Sequence, residues 1–102
     1  MKSDEIISKL RAHESELRAA GVTGLALFGS AARGEQREDS DIDVVVKLSD
    51  DARSGGFAYF GRIDSLTRRL GEILKRPVDV VAEPIMKDRL RREIEKDRIV
   101  AF

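Results

Sequence analysis

Two short motifs lie close together in this 102-residue chain, and both are suited to phosphate chemistry. Gly29 and Ser30 directly follow an apolar run, and ten residues separate them from the segment Asp41-Ile42-Asp43. A glycine lets the backbone approach a ligand closely, and free N–H groups with a serine hydroxyl can hold phosphate oxygens. Two carboxylates that project from the same face of a strand repel each other unless a cation lies between them, and oxygen ligands of this kind suit Mg²⁺ or Mn²⁺. Together the motifs indicate the transfer of a nucleotidyl group.

Each of these residues also has a simpler structural interpretation. Asp41 and Asp43 can be aspartates of a turn or strand entry that lie in water. Ser30 can be an ordinary helix N-cap, which contributes about 1 kcal/mol to stability. Arg33, one turn further along, can contact a phosphate or remain solvated at the surface. Spacing alone leaves both interpretations open for each residue.

A third carboxylate lies in the apolar segment Val78-Asp79-Val80-Val81. The centre of a packed sheet is normally apolar, and a carboxylate buried there without a partner costs several kcal/mol. Asp79 should therefore face a cation, a hydrogen-bond donor or an opening to water. If its strand lies beside that of Asp41 and Asp43, three carboxylates converge. The alternative is an aspartate on the solvent face of an edge strand.

The apolar periodicity predicts the elements that must position these groups. The first half of the chain is predicted to form a helix capped by Ser3 and ending at Gly21, a strand over 22–28, a helical turn over 30–33, a polar loop over 35–40 and a strand over 42–48. A polar and mobile segment over 49–56 follows. The second half is predicted to form a helix from Phe57 to Pro77, a strand over 78–81, a helix after Pro84, and an edge strand or docked tail over 99–102. This order predicts an α/β fold with a small mixed sheet flanked by helices. The length predicts one domain over residues 1–102.

The amino-acid composition argues against nucleic acid and membranes as binding partners. Lys and Arg number 19, and Asp and Glu also number 19, so the chain carries no net charge. Direct binding to nucleic acid is not expected, because such binding draws most of its affinity from excess basic residues. The chain contains no cysteine, which excludes disulfides and thiolate zinc sites. Its first twenty residues lack the continuous apolar run of a secretion signal or membrane span, so we expect a cytoplasmic protein without a membrane partner.

The motifs in combination are more specific than any one of them. The chain resembles the DNA polymerase beta-type nucleotidyltransferase superfamily and is similar to the minimal nucleotidyltransferases (MNT) that act as antitoxins beside HEPN-domain ribonucleases. The residues that carry this resemblance are Gly29-Ser30-Ala31-Ala32-Arg33-Gly34-Glu35, Ser40-Asp41-Ile42-Asp43-Val44 and Asp79.

The resemblance implies a polymerase beta-like fold and a role for each motif. Gly29 and Ser30 would hold the nucleotide triphosphate, with Arg33 as a further nucleotide-binding residue. Asp41, Asp43 and Asp79 would bind Mg²⁺ or Mn²⁺ and act as the catalytic carboxylates of a two-metal displacement. The resemblance further implies ATP as donor and a tyrosine of a cognate HEPN toxin as acceptor. Such AMPylation would silence the toxin.

Two other functions remain as alternatives. The chain can be a catalytically idle antitoxin that neutralises its partner by binding and occlusion, or it can transfer nucleotides to a small molecule or to RNA. Three acidic side chains that are costly to keep together argue for catalysis, because a pure binding module does not need them. The balanced charge and small size argue against an RNA acceptor.

Overall fold

The computed structural model of this chain describes residues 2–35, 37 and 40–102. Within that part, four strands form one sheet: β1 (Val22–Leu27), β2 (Ile42–Leu48), β3 (Val78–Ala82) and β4 (Ile99–Val100). The helices in the same part are α1 (Ser3–Ala12), α2 (Glu14–Ala19), α3 (Gly29–Arg33), α4 (Asp50–Arg53), α5 (Phe57–Leu74) and α6 (Asp88–Asp97).

The sheet is mixed, with the strand order β3-β2-β1-β4. β1 runs antiparallel to both β2 and β4, whereas β2 and β3 are parallel. Parallel neighbours need a crossover connection, which the 18-residue helix α5 provides. The predicted fold class, a small mixed sheet flanked by helices, is confirmed.

The alternation of side chains along β2 gives the sheet two different faces. Ile42, Val44, Val46 and Leu48 are buried in the main core, where they join side chains of α1, α2 and α5. The helical members of this core are Ile6, Ile7, Leu10, Leu17, Leu66, Leu70, Ile73 and Leu74. Val45 points to the opposite face, because side chains alternate along a strand. Asp43 is two residues from Val45 and therefore shares that second face.

A smaller apolar cluster covers the second face of the sheet. It consists of Ala26, Phe28, Val45 and Ile94, with Val81, Ile85 and Leu90 packed against it. Ile94 belongs to α6, so this helix lies over the same face as Asp43. Burial of a side chain such as Ile94 contributes about 1.5–3 kcal/mol. The cluster thus anchors α6 beside the carboxylates.

The predicted first helix is interrupted in the structure. His13, with φ −109° and ψ 15°, separates α1 from α2, and its Nδ1 lies 2.9 Å from the carbonyl oxygen of Lys9. The prediction that Ser3 caps the helix is wrong, because the N-cap is Lys2. The Lys2 N–H instead donates to the Glu5 carboxylate over 3.3 Å, which satisfies one of the free donors of the first turn.

The polar segment 49–56, for which the sequence pattern predicts no helix, contains the short helix α4. The Ser49 hydroxyl accepts a hydrogen bond from the Ala52 N–H at 3.2 Å, and Asp50 and Asp51 occupy the first turn. A serine cap followed by acidic residues is the usual start of a helix. The mobility predicted for this segment stays a prediction.

The remaining elements agree with the sequence pattern. α5 ends at Leu74, where Lys75 adopts the left-handed conformation with φ 56°. The chain end forms both predicted alternatives, since β4 pairs with β1 and the Phe102 carbonyl accepts a hydrogen bond from the Leu25 N–H. Residues 36, 38 and 39 of the predicted loop lie outside the described residues. No helix in the described ranges is long and apolar enough to cross a membrane.

Candidate active site

The glycine-serine bend lies against the start of β2. The Phe28 N–H donates to the Asp43 carbonyl oxygen over 3.1 Å, which holds the end of β1 beside Asp43. Gly29 follows with φ +67°, and a methyl group on its Cα would lie 2.6 Å from Asp43 Oδ2. Both the backbone conformation and the closeness of the carboxylate therefore strongly favour glycine at this position.

Ser30 lies in the first turn of α3 rather than at its cap. The N-cap is Phe28, so the interpretation of Ser30 as an ordinary N-cap is wrong. The first N–H groups of a helix have no partner within the helix, and the side chain of the N-cap residue Phe28 accepts no hydrogen bond from those of α3. α3 ends at Gly34, which has φ +72°. The bend thus presents free N–H groups and a hydroxyl beside Asp43.

The register between β2 and β3 brings two of the predicted carboxylates together. Asp43 is directly paired with Asp79, and in parallel strands such partners project from the same face. Asp41 lies one residue before the start of β2 and is exposed. The bend, Asp43 and Asp79 therefore share one location, and Asp41 lies next to it.

Asp79 lies at the edge of the sheet rather than in its centre. β3 is an edge strand, and Asp79 is exposed. The carboxylate therefore keeps contact with water and avoids the cost of burial. The edge-strand alternative correctly describes the exposure of Asp79, but the side chain is nevertheless adjacent to Asp43.

The electrostatics of the site are centred on Asp43. Partial burial raises the pKa of the Asp43 carboxyl, and the negative charges of Asp79 and Asp41 raise this pKa further. The positive charge of Arg33 acts in the opposite direction. Asp79 and Asp41 are thus close enough to Asp43 to disfavour its negative charge, and a cation among these carboxylates would relieve the repulsion.

An open groove of about 680 Å³ contains these groups. Phe28, Gly29, Ser30, Asp43 and Asp79 form one part of its lining. The other part consists of Arg33 from α3, Val81 from β3, and Leu90, Glu93, Lys96 and Asp97 from α6. A volume of this order can accept a small-molecule ligand.

The sequence motifs did not indicate the α6 residues of the groove. The available signal was the spacing of Leu90, Ile94 and Asp97, which places them on one side of a helix. The Arg33 guanidinium joins the helices, with 2.7 Å between Nη1 and Asp97 Oδ2 and 3.0 Å between Nε and Glu35 Oε2. Lys96 makes no ion pair with another described residue.

The donor set fits a divalent cation that is shared with a bound nucleotide. In residues 2–35, 37 and 40–102, no group of three or more acidic or histidine side chains is already arranged to hold a metal ion. Mg²⁺ is commonly bound by only one or two carboxylates, with substrate phosphates and water as its other ligands. The pair Asp43 and Asp79, with Asp41 nearby, provides carboxylates of this kind.

The raised pKa of Asp43 leads to a prediction about stability. We expect Asp43→Asn to raise the melting temperature of the metal-free protein at neutral pH. A carboxyl whose pKa is higher in the folded state contributes its full stability below the unfolded pKa, and that contribution is lost as the pH rises through the folded pKa. The asparagine avoids this loss. The gain should therefore appear towards neutral pH and vanish in acid, in thermal unfolding curves recorded across that range.

The matched control for this measurement is Asp51→Asn. Asp51 is exposed in the first turn of α4, which follows the far end of β2, whereas Asp43 lies at the start of that strand. Its replacement should produce no comparable pH-dependent gain. A lower melting temperature for Asp43→Asn at neutral pH would contradict the unfavourable charge that we assign to this position.

Comparisons with known proteins agree with the fold. The family model for the nucleotidyltransferase domain matches residues 6–101. The protein adenylyltransferase MntA of Thermococcus cleftensis is 36% identical over 96 residues, which cover 91% of this chain and 85% of that protein. A solved structure of a candidate minimal nucleotidyltransferase has 30% identity and a TM-score of 0.76, with 97% of this chain and 95% of that chain covered.

A further solved structure is the complex of a tri-AMPylated HEPN toxin from Shewanella oneidensis with an MNT antitoxin. It matches with a TM-score of 0.63 and 20% identity, over 98% of this chain and 71% of that chain. At this level of identity the likeness concerns the fold alone.

The fold and the family match define the class of protein as a nucleotidyltransferase, as the sequence motifs predicted. More narrowly, the chain belongs to the minimal nucleotidyltransferases of the polymerase beta-like superfamily.

Proposed function

We propose that this protein is an antitoxin that transfers AMP from ATP to a tyrosine of a cognate HEPN ribonuclease toxin. The observation that carries the proposal is the location of Gly29 against Asp43, with Asp79 paired to Asp43 across the parallel strands. This arrangement places a phosphate-binding bend and two carboxylates in one groove. Asp41 adds a third negative charge beside them.

The relatives support the choice of donor and acceptor. The Thermococcus cleftensis relative is named a protein adenylyltransferase. The Shewanella oneidensis structure pairs an AMPylated HEPN toxin with an MNT antitoxin. We transfer both properties to this chain as a hypothesis, and we take the tyrosine acceptor from the family resemblance.

In this proposal the groove first positions the triphosphate. The backbone of Gly29 and the hydroxyl of Ser30 hold its oxygens, and Arg33 and Lys96 add positive charge. Glu35 and Asp97 hold the Arg33 guanidinium at the rim of the groove. The α-phosphorus is thereby presented to an acceptor that enters from the open side. Positioning of this kind supplies a large share of the rate of group transfer.

The transfer itself is a displacement at the α-phosphorus. The tyrosine oxygen forms a bond to this phosphorus, the bond to the bridging oxygen of the β-phosphate breaks, and pyrophosphate leaves. The exposed Asp79 can accept the phenol proton and pass it to water. Held by Asp41, Asp43 and Asp79, Mg²⁺ or Mn²⁺ would favour the phenolate, whose free pKa is about 10, and neutralise the charge on pyrophosphate.

The direct test is the intact mass of the toxin. We expect a HEPN protein encoded beside this chain to gain the mass of one or more AMP groups when incubated with this protein, ATP and Mg²⁺. Peptide mapping should place the modification on tyrosine. Omission of ATP should leave the mass unchanged, because the nucleotide is the only source of the transferred group.

Two other results would change the proposal. An unchanged toxin mass together with loss of ribonuclease activity would indicate neutralisation by occlusion. Modification of RNA or of a small molecule, with the toxin unmodified, would retain nucleotidyl transfer but reject the acceptor.

A further inference from the structure

Arg76 lies between the end of α5 and the start of β3, on the connection that leads to Asp79. Lys75 reverses the chain direction with its left-handed conformation, and the Arg76 N–H still donates to the Gly71 carbonyl at 3.3 Å. Pro77 follows and precedes β3. The backbone at Arg76 is therefore held by α5, while its side chain is free to reach a neighbouring segment.

The Arg76 side chain reaches the segment that precedes β2. Its Nη2 donates to the carbonyl oxygen of Ser40 at 2.9 Å and also to the carbonyl oxygen of Arg37. Its Nε is buried. A side chain 36 residues away in sequence thus holds the carbonyl directly before Asp41.

The backbone next to Arg76 holds the other side of Asp41. The Ile42 N–H donates to the Pro77 carbonyl oxygen at 2.9 Å, and Ile42 is paired with Val78 in the sheet. Arg76 and Pro77 thus contact the residues directly before and directly after Asp41. Asp79 follows Pro77 by only two residues. The segment that contacts the residues on either side of Asp41 is therefore the one that carries Asp79.

We propose that Arg76 is a positioning residue, which places Asp41 for metal binding beside Asp43 and Asp79 by holding the backbone carbonyls of Arg37 and Ser40. This inference rests on the proposed metal role of the three carboxylates. An arginine can hold two carbonyl oxygens at once because its planar guanidinium presents several hydrogen-bond donors in a fixed arrangement. A lysine ammonium has no such fixed arrangement of donors. Arg76 acts through the backbone and touches neither nucleotide nor acceptor.

The test measures metal binding rather than turnover. Mn²⁺ is titrated into the protein with a non-hydrolysable ATP analogue, and free Mn²⁺ is followed by electron paramagnetic resonance. Arg76→Met should weaken Mn²⁺ binding about 10- to 100-fold, the usual effect of removing a group that orients metal ligands. Thermal unfolding of the same variant confirms that it is folded.

The chain offers a matched control at the other end of α5. Arg62 Nη1 donates to the carbonyl oxygens of Ala52 and Ser54, each at 2.9 Å, and so makes the same kind of contact with a different segment. Arg62→Met should leave Mn²⁺ affinity unchanged. Arg76→Lys should bind Mn²⁺ more weakly than the natural protein and serves as the test if Arg76→Met does not fold.

The outcomes separate the two proposals. Natural protein that binds no Mn²⁺ would reject the metal site and, with it, the role of Arg76. Natural protein that binds Mn²⁺, together with folded Arg76 variants of equal affinity, would overturn the positioning role alone. Equal weakening by Arg62→Met would also overturn it, because the effect would then be a general loss of packing.

Discussion

Replacement of Asp43 by asparagine is expected to abolish AMP transfer while the protein remains folded. The substitution removes the charge but almost no volume, at a side chain that lies beside Gly29 and Asp79. Metal ions contribute several kcal/mol of transition-state stabilisation in such reactions, and each 1.36 kcal/mol corresponds to a factor of ten in rate. The loss should therefore be about 10³-fold or more, measured as the initial rate of AMP incorporation into the toxin.

The control for this experiment is again Asp51→Asn, which removes an exposed carboxylate from α4. It should retain the full rate. The higher melting temperature expected for Asp43→Asn in the absence of metal would show that inactivity does not result from unfolding. Full activity of Asp43→Asn would remove the central carboxylate from the proposed mechanism.

Replacement of Gly29 by alanine is expected to cause the second large loss of activity. The added methyl group would lie 2.6 Å from Asp43 Oδ2, so either the bend or the carboxylate must move. The backbone at φ +67° adds a strain of about 1–2 kcal/mol for a residue with a side chain. Misplacement of reacting groups by about 1 Å can reduce the rate about 10²-fold. We expect a decrease of this size in the rate of AMP transfer.

Gly34→Ala separates the effect of displacement from the effect of strain. Gly34 has φ +72°, close to the value at Gly29, but no described atom lies within 4 Å of the position that its methyl group would occupy. Both variants should therefore lose stability, as judged by urea unfolding, whereas only Gly29→Ala should lose most of its activity. Equal losses of activity in the two variants would show that contact with Asp43 is not the reason for the glycine.

The sequence predicted most elements of this fold because their signals are local. The apolar spacing of Leu66, Leu70 and Leu74 identifies α5, since three to four residues separate side chains on one face of a helix. The β-branched run that includes Val44 and Val46 identifies β2. The break at His13 was not predicted, because the apolar spacing continues through it to Leu17.

The position of the bend beside Asp43 could also be expected from sequence, since β1 leads directly into it and β2 returns after a short connection. Antiparallel pairing of such neighbouring strands is common in folded proteins. Gly29 was identified as a site of close approach, and the structure shows that the approaching group is the Asp43 carboxylate.

The chain by itself thus predicted most of the elements, the class of enzyme and a set of candidate residues for phosphate and metal. Tertiary structure alone decided that Asp79 lies on an edge strand, that α6 lines the groove and that Arg76 holds the segment before Asp41. The physical reason is the range of the interactions. Periodicity and caps depend on residues a few positions apart, whereas strand order and contacts such as that of Arg76 depend on how distant segments pack together.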